Sequence, residues 1–299
     1  MMTVFLAVLL VLALLGAWTL TVTRGAGTAE GADIMASIAP ADLREAYGKT
    51  RTEWTILTSR GKPAGWAYDV FGPTESGYEG YTIVLYTARR WGFSLHWKMD
   101  KAGESLLLEH NSFALAGVPN PNENMSVVMT EGKLVIQHQL SGKIYRATGT
   151  VPDNYLPDPL VGIAYWKAVQ RDTEAVFQSE HTNFPSPGGQ LPLINLRVSP
   201  ADTEDAPIAD PQAAVQTVRR FPDGRESTAH VFFRQDRPIA GRVGDMVWKT
   251  VDEDLILQTF QAPSPLLIVQ SVQDQENLPV VREVPDTQPT TGTQPVGND

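Results

Sequence analysis

Between Glu53 and Phe260 apolar and polar residues alternate with a period of two, and short turns interrupt the alternation repeatedly. Glu53 to Thr58 alternates around Trp54 and Ile56, Arg60-Gly61-Lys62-Pro63 turns the chain, and Ala64 to Phe71 returns with Trp66, Tyr68 and Val70 on one face. Tyr81 to Arg89 follows. Phe93 to Met99 places Phe93, Leu95, Trp97 and Met99 opposite Ser94, His96 and Lys98. Ser105 to Ala116, Ser126 to Met129, Lys133 to Leu140 and Lys143 to Thr150 continue the series through turns such as Glu131-Gly132 and Ser141-Gly142. Strands resume at Glu174 to Ser179, Leu193 to Val198, Ala214 to Phe221, Thr228 to Arg234, Asp245 to Val251 and Leu255 to Phe260. The pattern predicts a mainly β fold, a strongly curved antiparallel meander or half-barrel.

Two stretches depart from this period. Ala41 to Tyr47, after Pro40 and before Gly48, reads as a short helix. Leu160 to Arg171 follows Pro159 and spaces Leu160, Ile163, Ala164 and Lys167 as a helix does, so it is the one substantial helix, expected on the concave face of the sheet. Leu266 to Val269 is a candidate last strand, and 270–299, rich in Gln, Pro, Thr and Asp, is expected to be a disordered tail.

The first residues follow a third rule. Val4 to Val22 covers 19 positions without a charge, close to the ~20 residues that cross a bilayer as a helix. Residues 1–23 are therefore expected to be an N-terminal transmembrane helix, or a signal peptide if cleaved, with Gly27 and Ala29 as small residues near the cut. Residues 24–40 form a flexible spacer before the β-rich domain of 41–269. Arg24 alone on the C-terminal flank favours a cytoplasmic domain. A large β domain behind a span at the start of the chain favours the periplasmic or extracytoplasmic side, and that is the placement adopted, with secretion after cleavage as the alternative.

Composition narrows the chemistry. The net charge is −10 and no Lys/Arg cluster reverses it locally, so a nucleic-acid partner is not expected. The chain has no cysteine, which removes disulfides, thiolate metal sites, cysteine nucleophiles and a lipoprotein-type lipidation site. Gly and Pro together are spread along the chain as turn punctuation, in keeping with many short strands.

The first hairpin, Glu53-Trp54-Thr55-Ile56 followed by Gly61-Lys62-Pro63-Ala64-Gly65-Trp66, resembles that of exported bacterial proteins related in fold to the lipoprotein-carrier (LolA-like) group. The strand–turn–strand units around Glu131-Gly132 and Asp223-Gly224 suit the same architecture. The resemblance implies an open, strongly curved antiparallel sheet with helices over its concave side, a fold able to shelter an acyl chain or hydrophobic peptide. It supplies no catalytic residue.

The residues themselves offer little for catalysis. The five histidines, His96, His110, His138, His181 and His230, fall in no ligand spacing, and no nucleophile elbow, phosphate loop or dinucleotide turn is present. His138 shares a strand face with Leu134, Ile136 and Leu140 and reads as a core or barrel-lining histidine; His96 alternates onto the polar face and is expected in solvent. The acidic groups Asp202/Glu204/Asp205/Asp210 and Asp252/Glu253/Asp254 lack the register of a calcium loop and read as solvated charge. Glu109–His110 and Glu180–His181 are neighbours in sequence and so point to opposite faces of a strand. No cofactor or metal is expected. The aromatic residues carry what signal remains, and Trp66, Trp97, His138 and Trp166 are the candidate ligand-binding residues. The favoured reading is a membrane-anchored, non-enzymatic protein that binds a lipid or other hydrophobic ligand. The alternatives are an envelope scaffold working through protein contacts and a hydrolase using carboxylates.

Overall fold

The computed structural model describes residues 33–115, 117, 123–180, 191–261 and 264–275. The expected membrane span, most of the spacer, His181 and most of the tail lie outside the described residues. No helix among the described residues is long and apolar enough to cross a membrane.

The described chain builds one 14-stranded antiparallel sheet, a meander that is not closed, with few helices. Its strands are β1 (Arg51–Ser59), β2 (Lys62–Pro73), β3 (Gly77–Tyr86), β4 (Trp91–Asp100), β5 (Leu106–Ala114), β6 (Asn124–Thr130), β7 (Lys133–Leu140) and β8 (Lys143–Thr150). They continue with β9 (Ala175–Glu180), β10 (Leu193–Ala201), β11 (Ala213–Arg220), β12 (Glu226–Arg234), β13 (Arg237–Val243) and β14 (Met246–Val251). Each strand pairs with its neighbours in sequence, except that β8 and β9 form the two edges and β1 pairs with β14 in the middle. Helix α1 (Pro40–Tyr47) precedes β1, and α2 (Val161–Arg171) lies between β8 and β9 after a 3-10 turn at Asp158–Leu160. Helices α3 (Glu253–Thr259) and α4 (Pro265–Gln275) follow β14.

Three expectations change. Leu255 to Phe260 is not a strand: Asp252 holds the extended backbone of a helix N-cap, and Glu253 and Asp254 stand in the first turn of α3 where the helix dipole favours acids. Leu266 to Val269 and the start of the expected tail belong to α4, opened by Pro265 at a position where a missing N–H costs nothing; at 11 residues it matches α2, which is therefore not the one substantial helix. Arg237–Val243 is a strand that the alternation did not reveal; Pro238 sits at a register shift opposite Phe233, where the ladder does not need its N–H.

Helices cover both faces of the sheet. On one face, α2 packs against β10, β11 and β13, and its Val161, Ala164, Tyr165 and Ala168 join a core that includes Leu57, Val84, Leu95, Trp97, Leu134, Ile136, Phe177, Leu196 and Val215. Ile34, from the expected spacer, is fully buried in that same core. On the other face, Ile256 and Phe260, with Ile268, Val269 and Val272 of α4, cover Trp54, Trp66, Val70, Tyr81, Ile83 and Leu85. Period-two alternation assigns Trp66, Tyr68 and Val70 to one face, as expected. The residues between them face α2, where Ala67 is buried and Asp69 half-buried.

Candidate ligand-binding cavity

A cavity of about 320 Å³ opens on the α2 face, between the sheet and a roof made by α1, the 3-10 turn and α2. Exposed Glu45, Gln170 and Arg237 stand at its margin. Much of its wall is aromatic: Tyr47, Phe71, Trp97, Trp166 and Trp248 line it.

Two glycines shape this wall. Gly80 on β3 lies directly opposite Trp97 on β4, and a Cβ at Gly80 would come 2.3 Å from the indole. Gly241 on β13 lies opposite Trp248 on β14, with its Cβ position 2.4 Å from the indole nitrogen. Each tryptophan therefore lies flat over a bare strand position rather than standing upright. Trp97 then meets Tyr47 at 5.0 Å between ring centroids, and Tyr47 meets Phe71 at 5.5 Å in an edge-on contact. The Tyr47 hydroxyl donates to the Pro159 carbonyl, and Lys167 pairs with Asp42 at 3.0 Å, so α1 is tied to the base of α2 and to its outer side.

Below the aromatic wall runs a polar row. The register places Glu53 of β1 opposite Asp69 of β2, and Asp69 opposite Thr82 of β3. All three line the cavity. Two carboxylates directly across a ladder repel each other, an arrangement that sheets normally avoid. Thr82 Oγ1 donates to Asp69 Oδ1 at 2.5 Å. Asp69 is half-buried and lines the cavity; loss of water pushes its carboxyl up to about 7, the Thr82 hydrogen bond opposes this, and the Glu53 charge adds to it. Glu53 is raised too by burial, against the pull of Arg237 and Arg51.

A second polar cluster backs the cavity at the turn before α2. Asp158 and Glu180 are buried, and Glu180 accepts from the Tyr155 hydroxyl at 2.7 Å, the Asp158 backbone N–H at 3.2 Å and the Ser179 hydroxyl at 3.3 Å. Burial and the neighbouring Glu180 charge raise the Asp158 carboxyl, while the buried Arg219 guanidinium draws it down. Burial disfavours the Arg219 charge in turn, and Tyr165, Asp158 and Glu180 sustain it. Asp158 alone of these two acids reaches the cavity wall.

Of the four candidate residues, Trp97 and Trp166 line this cavity. Trp66 lies on the opposite face with Trp54, at 5.7 Å between rings, under α3 and α4. His138 is buried on β7, separated by Met125 from His110 on β5, and does not line the cavity. His110 stacks on Phe93 at 4.6 Å, and burial lowers it to about 4. His96 is buried rather than solvated, 2.7 Å from Glu79. The acidic loop is solvated in part, with Asp205 2.6 Å from Arg242. No group of three or more acidic or histidine side chains among the described residues could hold a metal. Compared with known proteins, the chain matches no family model, no curated protein and no solved structure.

The residues that sequence reasoning missed are Glu53, Asp69 and Asp158. A carboxylate alternating with Trp66, Tyr68 and Val70 reads as a solvent-side position, because alternation alone assumes that one face is wet. The repulsive pairing was hidden as well. The turn sets Ser59 against Lys62, but Ala64 is an extra residue at a bulge, and only that shift brings Glu53 opposite Asp69.

Proposed function

We propose that this domain binds a small, largely apolar ligand in the cavity beneath α1 and α2, and that the N-terminal segment holds it at a membrane on the extracytoplasmic side. The observation that carries the reading is the cavity itself. It has the size of a small-molecule site, an aromatic wall and a few inward polar groups at one end, the usual composition of such sites. A core filled by its own side chains would leave neither the space nor Asp69 facing it.

A strongly curved sheet, the half-barrel of the LolA-like resemblance, belongs to the same proposal. Its support is a length argument. Fourteen strands laid flat would separate β8 from β9 by about 60 Å at the usual strand spacing. Yet Tyr155 already bridges to Gln178 of β9, and five residues from Thr150 reach at most about 18 Å. That bridge favours edges that approach each other, with the sheet bent around the face that carries α2. Side chains from both ends of the sheet, such as Ile136 and Leu196, accordingly share one core.

The test is uptake of the neutral fluorophore N-phenyl-1-naphthylamine by the purified full chain in detergent, read alongside tryptophan quenching. Saturable uptake by the wild type, lost in Ala67→Phe, which fills the cavity from β2, is the expected result. Absence of uptake by the wild type, together with native mass spectra free of any adduct, would remove the binding reading.

A hydrolase using carboxylates is the second reading, favoured by Asp69 on the sheet and Asp158 under the helix, two acids raised by burial on one cavity. Turnover of a chromogenic ester or glycoside that disappears in Asp69→Asn would establish it in place of simple binding.

A further inference from the structure

The charges around the cavity do not balance. Asp42 is matched by Lys167 at 3.0 Å, and Glu53 is reached by Arg237 at 3.9 Å and is drawn down by Arg51 as well. Asp158 and Glu180 together face Arg219, two acids for one guanidinium. Asp69 has only the Thr82 hydroxyl as a partner, and no ion pair among the described residues includes it. Its carboxyl opens into a space bordered by aromatic rings. Phe71 stands two residues away on the same face of β2, and Tyr47 and Trp97 pack against one another beside it. A carboxylate beside aromatic faces in a partly dry space is the chemistry that recognises an organic cation, through a charge-assisted hydrogen bond and the negative ring faces.

We propose that the cavity takes an organic ammonium ion with an apolar body, and that Asp69 is its counter-ion. The proposal rests on the binding reading above and names the ligand class. The ammonium donates to the Asp69 oxygen not held by Thr82, and the apolar body lies along Trp97 and Trp248. Glu53, across the ladder from Asp69, adds negative potential that an ammonium relieves. A free carboxylate or phosphate would meet Asp69 and Glu53, while the cations on the lining, Arg51, Lys167 and Arg237, are already engaged by Glu53 and Asp42.

Three competitors with one body and different heads test this: hexylammonium, hexanol and hexanoate, each displacing N-phenyl-1-naphthylamine from the full chain at pH 8. Hexylammonium is expected to displace the probe at a concentration at least tenfold below that of hexanol, with hexanoate weakest. That ratio should collapse towards one in Asp69→Asn and persist in Asp69→Glu, which keeps the charge. For the wild type it should shrink on moving from pH 8 to pH 5, as Asp69 takes up a proton while the amine stays charged. Equal potency of hexylammonium and hexanol, a lead for hexanoate, or a ratio unchanged in Asp69→Asn would each overturn the cation proposal and leave apolar binding standing. Should the probe not enter at all, calorimetric titration with hexylammonium decides: heat of binding that is lost in Asp69→Asn supports the proposal, and its absence in the wild type ends both readings.

Discussion

The two faces of the sheet use similar residues for opposite ends. Under α3 and α4 the wall is mainly apolar: Trp66, Ile83, Leu85 and Ile256 have no accessible surface, Trp54 donates its indole N–H to Glu253, and the sheet is simply covered. Under α1 and α2 the same strands present Glu53, Asp69 and Thr82 beside Phe71 and Trp97, and space remains. One face contributes stability through packing. The other carries half-buried carboxylates at a cost in stability, and natural proteins retain such costs chiefly where a site uses them.

The sharpest way to separate the faces is Trp66→Ala. Removing a fully buried indole from a packed face costs about 3–5 kcal/mol, so the denaturation midpoint should fall markedly. Probe affinity of the protein that remains folded should not change, because Trp66 does not line the cavity. A loss of affinity without a loss of stability would mean that the faces are not independent.

Next comes Arg219→Met, which should be destabilising by about 3–4 kcal/mol at pH 8, since two buried acids lose their cation. The sign with pH is definite. Asp158 and Glu180 already have raised carboxyls, so the native state binds protons that the unfolded state releases, and stability falls as pH rises above the usual carboxylate range. Without Arg219 that slope steepens. Urea melts of the variant at pH 5 and pH 8 should therefore differ more than those of the wild type.

The strands and α2 were legible in the sequence, the contrast between the faces was not, and the reasons are physical. Alternation placed Phe93, Leu95, Trp97 and Met99 together, and the helical spacing after Pro159 located α2 almost to the residue. The helix α3 was signalled too, by Asp252, Glu253 and Asp254 ahead of an apolar run, but Leu255, Ile256 and Leu257 also satisfy a strand. That ambiguity hid the second covered face. With it went the meaning of Asp69, because a polar residue opposite a core face is unremarkable until the far side is roofed. Gly80 and Gly241 carried a readable hint, as glycine inside a strand marks a close approach, but which side chain approaches depends on register.

Asp69→Asn probes the strain on the cavity face directly. Asparagine can still accept the Thr82 hydrogen bond but bears no charge. In the wild type, stability associated with Asp69 is present near pH 4 and is lost as pH rises towards about 7, where its carboxyl ionises in the folded protein. The variant should therefore gain on the wild type across that window, by roughly 2–3 kcal/mol at pH 8 once screening by cavity water is allowed for. Parallel stability curves for the two proteins from pH 4 to pH 8 would show that Asp69 is not strained. An ammonium ligand should narrow the gap in the wild type by supplying the missing charge.

The smallest effect separates the shape of the cavity from its charge. Gly80→Ala places a methyl 2.3 Å from the Trp97 indole, a distance that no real contact tolerates, so the ring must tilt away from β3. Overpacking of this kind costs about 1–3 kcal/mol, and the indole has somewhere to go because the cavity lies beside it. The ring should enter that space, so probe affinity falls while the pH dependence set by Asp69 stays. Gly61→Ala is the matched control: nothing lies within 4 Å of its Cβ position, but its backbone sits at φ +73, so it costs stability through strain alone. Equal loss of probe affinity in the two variants would show that the flat seating of Trp97 does not define the cavity, whereas a loss confined to Gly80→Ala ties the cavity's shape to a single missing side chain.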